Sequence, residues 1–172
     1  MNVDSIVASL PALRFGDPAP LSWEKFLAAC WNEADWVVGS LGVGRWADLE
    51  TQLRNAMAES RGGDARFLRP AEGCSLYWRD RVRACFQEPD VLRRDELLDR
   101  VWWDAAGELT PPSAPLGRGA LLTYAVRLGI ALRRSAVSVE RGGAAFDRMT
   151  AGTKQAEQSN NQTTKQSNNF PL

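Results

Sequence analysis

The sequence predicts an all-α fold: a compact domain of about six to seven helices over residues 1–150, followed by a disordered C-terminal tail over 151–172. Three observations predict it. Apolar residues recur at i, i+3, i+4 spacing in successive windows. Ser, Asp, Gly and Pro stand where those windows begin and end. No sustained period-2 alternation is present that would build a sheet.

The first helix is expected over Asp4 to Leu10, where Val3, Ile6, Val7 and Leu10 share a face, with a short strand as the competing reading. Asp4 or Ser5 is the expected cap, and Pro11 the stop, because proline lacks the N–H and disfavours helical geometry in its predecessor. RFGDPAP, residues 14–20, reads as a loop. Ser22 then reads as the N-cap of an amphipathic helix to about Asn32, with Glu24 facing its positive end. A short helix follows over Ala34 to Val38, broken by Gly39, Gly42 and Gly44.

Arg45 to Ser60 carries the clearest periodicity, with Trp46, Leu49, Leu53, Ala56, Met57 and Ser60 on the apolar side. Gly62 and Gly63 end it. After a loop over Asp64 to Gly73, Ser75 to Gln87 forms a charged helix with Tyr77, Trp78, Val82, Cys85 and Phe86 on its apolar side. Pro89 breaks the chain. Asp90 caps a helix over Val91 to Ala105, apolar at Val91, Leu98, Val101, Trp102 and Ala105.

Gly107 to Gly119 holds three prolines and three glycines. Its length suggests a connection that is mobile or laid across the surface. Ala120 to Ser135 carries two apolar stripes: Leu121, Ala125, Leu128 and Leu132, and Leu122, Val126 and Ile130. A helix of that kind is covered on both sides, either as the centre of the fold or against a partner. A last helix over Val137 to Thr150 is weakened by Gly142 and Gly143 at about 1 kcal/mol each. The tail, rich in Gln, Asn, Ser and Thr, lacks the apolar groups to offset its ordering entropy.

Composition narrows function. Basic and acidic residues balance at 21 each, which gives no push toward nucleic acid. There is no histidine, so Ser-His and Cys-His pairs and His-based zinc sites are excluded. Cys30, Cys74 and Cys85 form no CxxC pair and read as reduced thiols of a cytosolic protein. No stretch reaches the roughly 20 apolar residues of a membrane span, and the N-terminus does not read as a signal peptide. The expectation is a cytoplasmic protein without metal, cofactor or direct membrane insertion.

No constellation points to catalysis. Gly42-Val43-Gly44 lacks the strand, third glycine and lysine of a phosphate loop. Asp95 with Asp99, and Glu96 with Arg100, lie four apart on one helix and read as a solvated face. Most of the seven tryptophans lie on apolar stripes. Trp102 and Trp103 point about 100° apart, so burying both requires two covered faces, and one of them is a candidate interface anchor.

Two stretches carry a resemblance: IVASLPAL at 6–13 followed by LSWEKFLAAC, and DLETQLRNAMAESR at 48–61. Together with RDELLDRVWWDAAGEL and ALLTYAVRLGIALRRSAVSVERGGAAFDRM, they resemble, in order over about residues 3–150, an uncharacterised bacterial family of small helical proteins encoded among V-type ATPase genes. That family is similar to the funnel-shaped socket protein of those ATPases, the component designated C or d. The resemblance implies a non-catalytic coupler between the central stalk and the membrane ring, with components of both as partners and a place at the inner membrane held through the complex. The chain is much shorter than that socket protein and begins Met1-Asn2-Val3-Asp4 in place of the family's aromatic start. The Leu/Arg/Asn stretch matches at Glu50, Leu53, Arg54, Asn55 and Arg61. These polar residues, with Trp102 and Trp103, are the candidate partner-binding set. The alternatives are a free helical adaptor for another protein, and an enzyme or sensor with a Trp-lined pocket.

Overall fold

In the computed structural model, which describes residues 2–73 and 75–136, every regular element is helical. The expected helix over 137–150 and the tail over 151–172 lie outside the described residues. The elements are α1 (Val3–Ser9), α2 (Trp23–Cys30), α3 (Ala34–Gly42), α4 (Arg45–Ser60), α5 (Leu76–Cys85), α6 (Val91–Ala106) and α7 (Arg118–Ala136), with 3-10 turns at Trp31–Glu33, Ala65–Phe67 and Gly107–Leu109. Among the described residues, no helix is long and apolar enough to cross a membrane. Through Arg134 the elements pack as one unit; a second begins at Ser135, of which Ser135 and Ala136 are described, both in α7.

The caps explain the boundaries. Ser22, Ser75 and Asp90 each accept a hydrogen bond from the backbone N–H three residues on, satisfying a donor that the first turn leaves open. α1 is capped by Asn2, not by Asp4 or Ser5: its Oδ1 takes the Ser5 N–H at 2.9 Å. α2 stops at Cys30, two residues short of its expected end. The chain turns there through Trp31 at φ 50°, a left-handed geometry that bulky side chains rarely adopt. α3 runs through Gly39 to Gly42, past the expected break, and Leu41 in this extension packs against both cores.

α7 is the shared wall of two cores. Leu122, Val126 and Ile130 face a cluster built by α4, α5 and α6 around Leu53, Val82 and Val101. Leu121, Ala125 and Leu128 face a second cluster built by α1, α2 and α3 around Ile6, Phe26, Cys30 and Val37. The two stripes evident in the sequence are thus each covered by a different group of helices.

Both long connections are anchored. In the loop over 14–20, Phe15 packs edge-on against Trp103 at 5.5 Å, and the guanidiniums of Arg100 and Arg134 each lie 4.9 Å from its ring. In the connection after α6, the Thr110 hydroxyl meets the Thr123 hydroxyl of α7 at 2.8 Å. Gly119 lets the chain pass: a Cβ there would stand 2.1 Å from the Leu109 carbonyl oxygen, so only glycine fits. That segment is laid on α7.

Buried charge is paired. Glu33 is fixed by Arg118 through two hydrogen bonds, at 2.9 and 3.2 Å. Asp99, 2% exposed, pairs with Arg133 and Arg134. This corrects the reading of Asp95 and Asp99 as one solvated face: Asp95 is exposed, but Asp99 turns inward against α7.

Burial pushes the Cys30 thiol up to about 11, with Glu33 adding to the effect. A thiol held neutral by the fold stabilises it below the ordinary thiol pKa of about 8.5 and loses that contribution as pH rises through the folded value. Unfolding free energy is therefore expected to fall between about pH 9 and 11 in the wild type, and less steeply in Cys30→Ala. Parallel curves for the two proteins, from urea titrations across that range, would contradict the assignment.

Candidate partner-binding groove

α4 presents three faces to three environments. Trp46, Leu49, Leu53 and Ala56 enter the core. Asp48, Gln52, Asn55 and Glu59, at i, i+4, i+7, i+11, are used inside the molecule. Asn55 holds the Arg69 backbone on both sides, donating to its carbonyl at 2.8 Å and accepting its N–H at 3.0 Å. Gln52 accepts the Ser75 N–H at 2.8 Å, Asp48 accepts the Glu72 N–H, and Glu59 pairs with Arg79 at 3.1 Å. Asn55 thus uses its amide to hold the backbone at Arg69.

The third face, at Glu50, Arg54 and Met57, forms one wall of a groove of about 450 Å3. α7 supplies the opposite wall with Val126, Gly129, Ile130 and Arg133. Trp23, Leu41, Trp46 and Trp102 complete the lining. Trp46 and Trp102 meet edge to face at 6.4 Å, a geometry that aromatic quadrupoles favour. The volume falls within the range of ordinary ligand sites.

Polar groups stand at its edge. Arg54 donates to Glu50 Oε1 from Nη2 at 2.7 Å and from Nε at 3.1 Å. As an exposed i, i+4 pair it contributes about 0.5 kcal/mol or less to stability, so it can exchange partners at little cost. Arg133, about half exposed, is steered by Asp99. Gly129 is exposed, and a Cβ there would meet nothing within 4 Å. α7 thus presents no side chain to the groove at this position.

The six sequence candidates separate. Glu50, Arg54 and Trp102 come together in the groove. Asn55 holds the loop. Arg61 lies beyond the groove, its guanidinium 5.6 Å from the Phe86 ring. Trp103 belongs to the core, 6% exposed, with Arg127 over its ring at 5.2 Å and Arg127 Nε donating to its carbonyl at 3.1 Å. Sequence reasoning missed Trp23, Arg133 and Gly129. Only Gly129 carried a signal: glycine in a helix interior costs about 1 kcal/mol relative to alanine, which suggests that space is needed there.

The lining contains no hydroxyl or thiol that could attack a substrate. Among the described residues, no group of three Cys, Asp or Glu side chains could hold a metal ion. The arrangement suits non-covalent capture of an apolar body with polar ends. Fold and groove together define an all-α domain built around one central helix, with a tryptophan-lined groove beside it. Comparisons of the chain with protein-family models, with curated proteins and with solved structures found no match.

Proposed function

We propose that this chain is a non-catalytic interaction domain whose groove between α4 and α7 seats an apolar segment of a partner protein. The partner we propose is a central-stalk or membrane-ring subunit of a bacterial V-type ATPase, with the chain acting as a component or assembly factor that resembles the stalk socket. The observation that carries the interaction reading is the groove itself. Three tryptophans and a methionine form an apolar floor, and Glu50, Arg54 and Arg133 stand at the edge. Aromatic and arginine side chains so arranged are the usual energetic centre of a protein interface. The assignment to the ATPase is supported by the ordered resemblance over about residues 3–150, within which Glu50 and Arg54 match.

The test exploits Gly129. Its backbone is helical and its Cβ direction is open, so Gly129→Ala is expected to stabilise the fold by up to about 1 kcal/mol. Gly129→Leu should fold equally well and fill the groove. Tagged wild-type chain, recovered from gently solubilised membranes, is expected to bring head, stalk and ring proteins in fixed ratio, and folded Gly129→Leu to bring none. A wild-type chain that elutes alone from cells containing assembled ATPase would sink the ATPase reading and leave a free adaptor. Equal recovery by both proteins would move the contact away from the groove.

A second reading has one observation in its favour. The same groove meets the requirement for a small-molecule sensor: a Trp-lined cavity with convergent polar groups. Quenching of tryptophan fluorescence by a small apolar ligand, lost in Gly129→Leu while protein partners are retained, would favour it.

A further inference from the structure

Beyond the groove, α4 ends at Ser60 with Arg61 as its C-cap, and the chain returns through Phe86 into the start of α6. Arg61 and Arg94 approach the same Phe86 ring, each with its guanidinium carbon 5.6 Å from the ring centroid. Neither pairs with a carboxylate among the described residues, whereas Arg54, Arg93 and Arg100 on the same two helices each hold one. Val91 and Leu92, in the first turn of α6, are 64% and 80% exposed. All five residues line a cleft of about 600 Å3.

We infer that this cleft, where two arginines sharing the Phe86 ring lie beside exposed Val91 and Leu92, docks a segment of a partner protein that carries acidic residues next to a large apolar side chain. Two like charges held against one ring repel each other, and an anion between them relieves that repulsion. Contact with the ring orients each guanidinium and leaves N–H donors free to fork a carboxylate. The apolar rim supplies the second half of the recognition: an exposed leucine and valine gain by covering an apolar side chain that the acidic groups bring to them.

A membrane surface fits less well. Each basic side chain contributes about 1 kcal/mol at an anionic bilayer, and two are too few for stable attachment. Val91 is expected on the core side of α6 from its spacing; its exposure shows that the first turn of this helix overhangs the core. The inference concerns a different surface from the groove and does not depend on the ATPase reading. A coupler that joins two bodies needs two separate surfaces, and α4 contributes to both.

The test uses the full chain and fluorescein-labelled peptides with blocked ends: one with a Leu-Phe pair flanked by two glutamates on each side, one with lysines in place of the glutamates, and one with serines in place of Leu-Phe. Fluorescence anisotropy is expected to show binding of the first alone, weakening as salt rises. Arg61→Ala combined with Arg94→Ala should weaken it at least about tenfold, Leu92→Ser severalfold, and Gly129→Leu not at all. Arg61, Leu92 and Gly129 are exposed and Arg94 is half-buried, and an unchanged unfolding midpoint shows that each variant folds. Equal binding by the double-arginine variant, equal binding of the lysine or serine peptide, loss in Gly129→Leu, or no binding of any peptide would each overturn the proposal. Arginine-dependent binding to phosphatidylserine vesicles without peptide binding would replace it with a membrane site.

Discussion

Asp99→Ala is expected to lower the unfolding free energy by about 3 kcal/mol, the lower end of the range for breaking a buried ion pair. The carboxylate is 2% exposed and stands between Arg133 and Arg134 near the end of α7. Arg134 also reaches Glu96 and lies over Phe15, so the loop over 14–20 depends on the same node. Removing the carboxylate leaves a void against α7 and two arginines without their shared anion. Both side chains are partly exposed, 52% and 29%, so they can turn to water, which keeps the loss from being larger. At roughly 2–4 °C per kcal/mol for a chain of this size, the midpoint should drop by about 10 °C. Asp99→Asn keeps the shape and should lose less. The exposed Glu50–Arg54 pair, removed as a control, should change stability by no more than about 0.5 kcal/mol. A loss below about 1 kcal/mol for Asp99→Ala in urea titration would show that the pairing adds nothing net. The variant also releases Arg133, so groove binding should weaken even at temperatures where the chain stays folded.

Phe26→Ala is expected to be the most damaging of the single changes considered, at about 4 kcal/mol. Its ring is fully buried, lies 5.5 Å from Tyr124 in a stacked arrangement, and meets Trp23 at 5.3 Å. The ring is fully buried within the second core, so its removal leaves a cavity lined by that cluster. α1, α2 and α3 should lose protection before α4, α5 and α6, which rest on the other core. Hydrogen exchange followed by mass spectrometry resolves the two groups. Uniform loss of protection, or a stability change under about 2 kcal/mol, would contradict the division into two cores. Because Trp23 belongs both to this cluster and to the groove lining, the variant should distort the groove wall as well.

What periodicity measures sets the limits of prediction from sequence. The helix over Arg45–Ser60 has the bounds its pattern predicts, because a strong apolar stripe ends at paired glycines. The caps at Ser22, Ser75 and Asp90 are equally legible, since each is a short-range hydrogen bond. Tyr77 and Val91 fall on apolar faces by their spacing yet are exposed, because each lies in the first turn of its helix, where the stripe runs past the edge of the neighbouring helices. Asp99 falls on a wet face by its spacing yet is buried, because its arginine partners lie 34 and 35 residues further along the chain. Of the site candidates, Glu50, Arg54 and Trp102 meet in one groove, while Asn55 turns to a loop that no local pattern places beside it.

The sequence by itself determined the all-α class, most helix boundaries and the role of α7 as a helix covered on two sides, because these rest on interactions within a few residues of each other. Tertiary structure alone decided which of Trp102 and Trp103 is core and which is groove, that Asp99 is a buried anchor, and that Gly129 stands over open space. Those outcomes depend on which helix arrives at a given face, and on the volume left between walls that are distant in the chain.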